Sequence, residues 1–318
     1  NVPIGIAALF LTELKLRNVR ATDPQPLDYP GLVTFSAALF LLIFGLIRGN
    51  AEGWGSPLIV SCLVGAVALL AAFAAIELRS DKAMLDLRLF RNPSFTGVSV
   101  VAFCLSAGVF AMFLYLTLYI QDVLAFSPLE AGLRFLPLSV VSFVVAPLSA
   151  RFSDRVPYRA MMGTGLILVG IGLILMGGIS VDDAWTQLLP GLIIAGVGIG
   201  MTNPGIAAVA VGVVEPARAG MASGINSTFR PAGIATGVAA RGAIFQHRVA
   251  ADLTERLPQA PSGFSDAVSS GAADSALASL PEELRAQAAA AAEHAFITGL
   301  NEILLIGAAV AIVGGIAS

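Results

Sequence analysis

The sequence contains few charged residues for its length. Lysine, arginine, aspartate and glutamate together make up 12% of its 318 residues, and the formal net charge at pH 7 is −3. Soluble domains carry about 25% charged residues, so this composition argues against an ordinary soluble protein. It also argues against nucleic-acid binding, because the lysines and arginines lie in short clusters instead of forming one basic face.

Cysteine and histidine are also scarce. We expect Cys62 and Cys104 to pack as small apolar side chains, because both lie inside apolar runs. His247 and His294 have no second ligand at a spacing that would suit a metal ion. No Ser-His-Asp set is available, and no Gly-Lys-Ser/Thr follows the glycine-rich stretches. The sequence therefore predicts neither an enzyme nor a cofactor or metal site.

Long apolar runs make up most of the chain. Hydrophobic residues account for 57% of it, and the mean hydropathy is +0.85. About 20 apolar residues in a helix cross a bilayer. The runs that reach this length are 30–48, 57–77, 95–119, 131–150, 160–179, 185–213, 219–245 and 296–318. We therefore predict an all-α, polytopic helical membrane protein.

The basic residues between the runs predict the orientation of the chain. Lysine and arginine collect in alternate connections, which the positive-inside rule places in the cytoplasm. These connections are 15–28, 78–94, 151–159 and 214–218. On the opposite side, we expect 246–295 to be a long outside loop in which a water-exposed helix begins at Pro281. The expected location is a bacterial plasma membrane.

The densest charge cluster lies between the runs 131–150 and 160–179. It consists of one acid and three arginines spaced by four residues: Asp154, Arg151, Arg155 and Arg159. This spacing resembles the Gly-x-Leu-Ala-Asp-Arg-x-Gly-Arg-Arg loop that follows the second span of each half of a major facilitator superfamily transporter. We expect Asp154 to meet the N-terminus of the next span and to act as a latch of an inner gate.

Other stretches resemble the fourteen-span drug/proton antiporters of that superfamily. They are Asn1-Val-Pro-Ile-Gly5, the run from Leu87 to Asn92, Tyr119-Ile-Gln-Asp with Ser127 to Gly132, and Ala219 to Gly224 followed by Arg230. The resemblance implies the following organisation: a remnant of a truncated span at 1–14, a cytoplasmic loop at 15–29, two linker spans at 30–77, a cytoplasmic linker at 78–94 and a six-helix transporter domain at 95–318. Its six spans would form two inverted three-helix repeats.

The same resemblance implies a function. It is that of a secondary active transporter that exports hydrophobic or cationic drug-like compounds in exchange for protons by alternating access. The partners would be a small-molecule substrate, protons, the lipid bilayer and a missing N-terminal half of the same chain. Two alternatives stay open: an exporter of an endogenous metabolite, lipid or siderophore, and a membrane scaffold or receptor that does not transport.

Two charges are expected well inside the hydrocarbon region. Counting 1.5 Å per helical residue from the expected boundaries places Arg230 about 18 Å and Glu302 about 21 Å above the inner face. We therefore predict that they face each other or line a cavity together, with Asn226 one turn below Arg230. Asn203, followed by a proline, interrupts another span and is expected to face the cavity.

Aromatic and glycine patterns complete the set of candidates. Tyr115 and Tyr119, one turn apart with Phe113 nearby, could form an aromatic wall for a flat hydrophobic cation or part of an outer aromatic belt. Glycines recur at short spacing between Gly191 and Gly200. Small residues on one face let helices approach closely in lipid, so these glycines predict tight helix packing.

Overall fold

The computed structural model describes residues 2–15, 28–79, 85–153, 155–215, 219–261 and 263–318, and within these ranges it contains helices and no strand. The all-α prediction is confirmed. The helices are α1 Val2–Lys15, α2 Tyr29–Glu52, α3 Pro57–Arg79, α4 Pro93–Val123, α5 Pro128–Phe152, α6 Tyr158–Met176, α7 Leu189–Gly212, α8 Ala219–Arg256, α9 Phe264–Ser269, α10 Ala273–Ala278 and α11 Glu282–Ala317.

Local sequence signals account for where the long helices begin. Asn92 caps α4, its side-chain oxygen accepting a hydrogen bond from the Ser94 amide at 3.0 Å, and Pro93 follows in the first turn. At the start of α5, Ser127 and Glu130 form a reciprocal capping box. Each cap satisfies backbone amides that a helix start otherwise leaves without partners.

Within the described ranges, seven helices are long and apolar enough to cross a membrane: α2, α3, α4, α5, α6, α11 and the segment Trp185–Gly212 that contains α7. The polytopic prediction is thus confirmed. At 38 residues α8 is also long enough, but its arginines make it too polar to stand out by composition. The run expected at 219–245 lies in this helix.

The stretch 246–295, expected to be an outside loop, contains more helix than expected: α8 continues to Arg256, and two short helices lie between α8 and α11. The helix expected from Pro281 is confirmed, since α11 begins at Glu282. The reason is packing: α8 and α11 contact each other, and Leu253 and Ala288 are both buried in their extended parts. Apolar residues at helical spacing continue beyond the apolar runs, and the polar residues between them hid this continuation.

Glycines bring α6 and α7 into backbone contact, as their spacing predicted. A Cβ atom added to Gly165 would lie 2.8 Å from the Gly198 carbonyl oxygen, and one added to Gly172 would lie 2.7 Å from that of Gly191. Each of the two pairs joins one glycine of α6 to one of α7, and the pairs repeat after seven residues. We call these four residues the glycine seam.

A second glycine face of α7 packs on α5. A Cβ atom on Gly196 would lie 2.7 Å from the carbonyl oxygen of Leu138, and one on Gly200 would lie 2.9 Å from that of Ser142. Ser149 of α5 also donates a hydrogen bond to the Gly200 carbonyl at 3.1 Å. α7 is therefore held closely on two sides, which fixes the position of the polar residue Asn203 that it carries.

Candidate functional site

A polar contact lies near mid-depth in the bundle. The Nη2 atom of Arg230 on α8 donates a hydrogen bond of 2.7 Å to the Oδ1 atom of Asn203 on α7. Asn203 lies nine residues before the end of α7 and Arg230 eleven residues after the start of α8, about 14 and 17 Å along the helices. If these helix ends lie at the inner face of a hydrocarbon core of about 30 Å, both residues are expected near its centre.

Asn226 lies one turn below Arg230 on α8. Its side chain is buried, and its Nδ2 atom has no hydrogen-bond partner among the described residues. We call Asn203, Asn226 and Arg230 the polar centre. The sequence singled out all three residues, and the structure brings Arg230 and Asn203 into direct contact. Their role in transport or coupling stays a prediction.

The fourth residue of that prediction, Glu302, lies elsewhere. The side chain of its neighbour Asn301 exchanges two hydrogen bonds with the backbone of Ile179, at 3.0 and 2.8 Å. Ile179 follows the end of α6 at Met176, on the outer side in the expected orientation. Glu302 therefore lies at the outer end of the spans and not 9 Å inside them.

The predicted contact between Arg230 and Glu302 is consequently wrong. Glu302 pairs with Arg248, whose Nε atom is 3.3 Å from its Oε2 atom. Arg248 lies 18 residues beyond Arg230 on α8, a distance of about 27 Å along the helix. The error came from the span boundary: the apolar run begins at Phe296, but the outer end of the spans lies at Asn301, five residues further along α11.

The Arg248–Glu302 pair can be used to test how little an exposed ion pair contributes to the stability of the fold. The two side chains are 50% and 44% exposed, and such pairs typically stabilise by about 0.2–1 kcal/mol. We expect Glu302→Gln to change the free energy of unfolding by less than about 1 kcal/mol. The thermal midpoints of Glu302→Gln, Arg248→Gln and the double variant together give the coupling energy of the pair. A coupling energy well above about 1 kcal/mol would refute the expectation.

A second, buried arginine of α8 was not singled out by the sequence. Arg241 of α8 is only 2% exposed, and its Nη1 atom has no hydrogen-bond partner among the described residues. Its guanidinium lies beside Gly307 of α11, where an added Cβ atom would be 3.1 Å from Nη2 and 3.3 Å from the Gly108 carbonyl oxygen. The signal was present: Arg241 follows Arg230 by eleven residues, which is about three helical turns.

Gly108 belongs to one of two irregular stretches of α4. The helix widens into π-helical turns at Ser106–Phe110 and Tyr119–Val123. Such turns are rare and frequently occur at functional sites. The first of them packs against α8 and α11, which bring Arg241 and Gly307 to it. The sequence did not predict either irregularity.

The predicted aromatic wall is not formed. Tyr115 and Tyr119 are only 5% and 1% exposed and belong to the hydrophobic core. The Tyr115 ring packs against Phe245 of α8, with centroids 4.9 Å apart. Phe113 is half-buried, and its ring packs against that of Phe135 with centroids 5.3 Å apart. The reason is that α8 and α11 cover the tyrosine face of α4, which a single helix cannot reveal.

The inner loop is only partly described. Arg151, Arg155 and Arg159 are exposed, as expected for a cytoplasmic connection. Asp154 lies outside the described residues, so the latch contact stays a prediction. The loop joins α5 to α6, and its basic character agrees with the orientation that the charge pattern indicates.

Seven long apolar helices among the described residues, with a polar contact between two helices of the bundle, define the class as a polytopic helical membrane protein. The family model of the Major Facilitator Superfamily matches residues 30–238. The chain therefore belongs to that superfamily, as its motifs indicated, and is a multi-pass protein of the bacterial cell membrane.

Three relatives of the chain are named for resistance, export or transport. The chain is similar to the tetracenomycin C resistance and export protein of Streptomyces glaucescens, with 28% identity over 98% of the chain and 60% of the relative. It is 31% identical to the probable actinorhodin transporter of Streptomyces coelicolor, over 77% of the chain and 44% of the relative. It is 29% identical to the multidrug resistance protein Stp of Mycobacterium tuberculosis, over 82% of the chain and 48% of the relative. The chain thus spans 60% or less of these relatives.

Proposed function

We propose that the protein containing this chain exports hydrophobic drug-like compounds in exchange for protons by alternating access. The observation that carries this proposal is the contact of Arg230 with Asn203 near mid-depth. An arginine near the bilayer centre costs about 2.5–3.5 kcal/mol on insertion scales, so it is expected to have a function there. The relatives, which are named for drug resistance and export, support the same class of substrate.

The arrangement of the helices supports alternating access. We propose that α4, α5 and α6 form one three-helix repeat and that α7, α8 and α11 form the other, with substrate bound near the midplane. The glycine contacts of α7 with α5 and α6 make these helices one closely packed unit. Such a unit can rock as a rigid body against a second domain. We propose that this second domain is an N-terminal half, in line with the longer relatives.

Proton coupling requires a group that takes up and releases a proton within the membrane. Among the described residues, the middle of the spans carries Arg230 and no carboxylate. Glu302 and Arg248 form their pair at the outer end. We therefore propose that the proton-carrying carboxylate belongs to the second domain and that the polar centre contributes to substrate binding.

An efflux assay tests the proposed function. The full-length gene is expressed in a bacterial host without its own major drug pumps, and the accumulation of several hydrophobic dyes is followed with and without a protonophore. We expect lower accumulation with the wild type, and we expect the protonophore to remove the difference. Asn203→Ala should slow efflux about tenfold, because one lost charge-assisted hydrogen bond corresponds to roughly 1.5 kcal/mol or more.

The control is Glu302→Gln, which changes a polar group at the outer end and should leave efflux unaffected. A wild-type protein that is inserted in the membrane but exports neither dyes nor compounds from cell extracts would favour a scaffold or receptor. Export of extract compounds alone would favour an exporter of an endogenous metabolite, lipid or siderophore.

A further inference from the structure

α8 carries a row of arginines along one face. Arg230, Arg241 and Arg248 are separated by eleven and seven residues. At about 100° per residue in an α-helix, their directions differ by only about 20°. The row extends about 27 Å along the helix, from the polar centre to the pair that Arg248 forms with Glu302.

Only the outermost arginine of the row has an acidic partner among the described residues. Arg248 pairs with Glu302. Arg241 is buried beside two glycines, and its Nη1 atom has no hydrogen-bond partner in the described part of the chain. Arg230 bonds to the neutral amide of Asn203. Positive charge therefore remains uncompensated from mid-depth to the upper part of the bundle.

The polar centre offers more hydrogen-bond donors than acceptors. Arginine has five N–H donors and no acceptor. The Oδ1 atom of Asn203 already accepts one hydrogen bond from Arg230, and the NH₂ group of Asn203 remains a donor for a ligand. Asn226 adds an Nδ2 atom that is buried without a partner. Three side chains on two helices thus present N–H groups, and the two on α8 are one helical turn apart.

We propose that the polar centre is a binding site for the anionic or acceptor-rich end of a hydrophobic substrate, such as a carboxylate, a phenolate or a pair of carbonyl oxygens. The planar fork of Arg230 matches two such oxygens at once. A cationic substrate meets like charge and no free carboxylate there, so the site selects against it. This inference rests on the proposed export function and names the substrate class of the same site.

Arg241 strengthens this preference without touching the ligand. It lies about 16 Å from Arg230 along α8 and is enclosed by α4 and α11. Charges act over longer distances inside a bundle than in water, because the surrounding dielectric constant is low. Its positive charge therefore favours an anion at the polar centre and disfavours a cation.

Two dyes with the same xanthene skeleton test the proposal. Fluorescein is anionic and rhodamine 123 is cationic, so the pair separates charge from size. The full-length protein is reconstituted in liposomes with a proton gradient, and the transport of each dye is measured. We expect the wild type to transport fluorescein, and we expect Arg230→Gln to lower that rate at least about tenfold. The rate for rhodamine 123 should not fall, and Arg230→Lys should retain part of the fluorescein rate.

Arg248→Gln is the matched control, because it removes an arginine from the same face of the same helix at the paired outer end. It should change neither rate by more than about twofold. A second variant, Asn203→Asp, places a carboxylate next to Arg230. It should lower fluorescein transport and raise rhodamine 123 transport, and it keeps the test valid if Arg230→Gln fails to fold.

The outcomes separate the two proposals. Transport of rhodamine 123 without fluorescein by the wild type would overturn the anionic site and leave the export function standing. Unchanged dye preference in both Arg230→Gln and Asn203→Asp would also overturn the site. No transport of either dye, of other drugs or of extract compounds by the inserted wild type would refute the export function and, with it, this inference.

Discussion

Replacing Gly198 with leucine is expected to prevent the protein from accumulating in its folded form. A Cβ atom at this position would lie 2.8 Å from the Val169 amide nitrogen and closer still to the Gly165 carbonyl oxygen. Backbone atoms cannot move aside as a flexible side chain can, so α6 and α7 would have to separate along the glycine seam. Helix association in lipid depends on such close packing. The expected loss of stability exceeds about 3 kcal/mol, the upper range for an overpacked core.

The amount of monodisperse protein extracted from the membrane, together with its thermal midpoint, measures this effect. Gly224→Leu is the control, because a Cβ atom there meets nothing within 4 Å and the helical position is otherwise comparable. The yield and thermal midpoint of Gly198→Ala should lie between those of the control and those of Gly198→Leu. Equal yields and midpoints for Gly198→Leu and Gly224→Leu would show that the two helices do not depend on this contact.

The second large effect is expected at Arg241, where an apolar replacement should stabilise the fold. A buried guanidinium without a counter-ion loses its hydration and regains little of it from the protein. Replacement of buried charges by apolar side chains of similar volume is often neutral or stabilises by about 1–4 kcal/mol. We expect Arg241→Met to raise the thermal midpoint of the full-length protein and to weaken its preference for fluorescein.

Arg248→Met is the control for this substitution, because Arg248 is half exposed and its replacement removes a charge that is already hydrated. It should leave the midpoint almost unchanged. Should Arg241→Met instead lower stability by about 3–5 kcal/mol, the range for breaking a buried ion pair, a carboxylate from elsewhere in the protein must reach Arg241. The arginine row would then be compensated at this level.

Agreement between sequence and structure is closest where a signal is local. Asn92 with Pro93 and Ser127 with Glu130 start helices where their residue types predict, because a cap acts within one helical turn. The glycines of α7 predicted close packing, because any helix that meets a surface without side chains can approach it. The charged loop, the motifs and the apolar runs were sufficient to identify the superfamily.

The candidate site was predicted in part for the same reason. Arg230 and Asn203 were singled out one at a time, since a charge or an Asn-Pro pair inside an apolar run is visible in one helix. The partner of each was not visible. The depth of Glu302 depends on where α11 meets the end of α6, a position set by the hydrogen bonds of Asn301 with Ile179.

The sequence by itself determined the class of the protein, the helices and their approximate positions, because hydrophobicity, caps and charge clusters are properties of short segments. The tertiary structure alone decided which faces meet: it buried Tyr115 and Tyr119, extended α8 and α11 beyond their apolar runs, and paired Glu302 with Arg248. It also enclosed Arg241 beside Gly307. Those outcomes depend on the relative shift and rotation of two packed helices, which the side chains of both helices determine together.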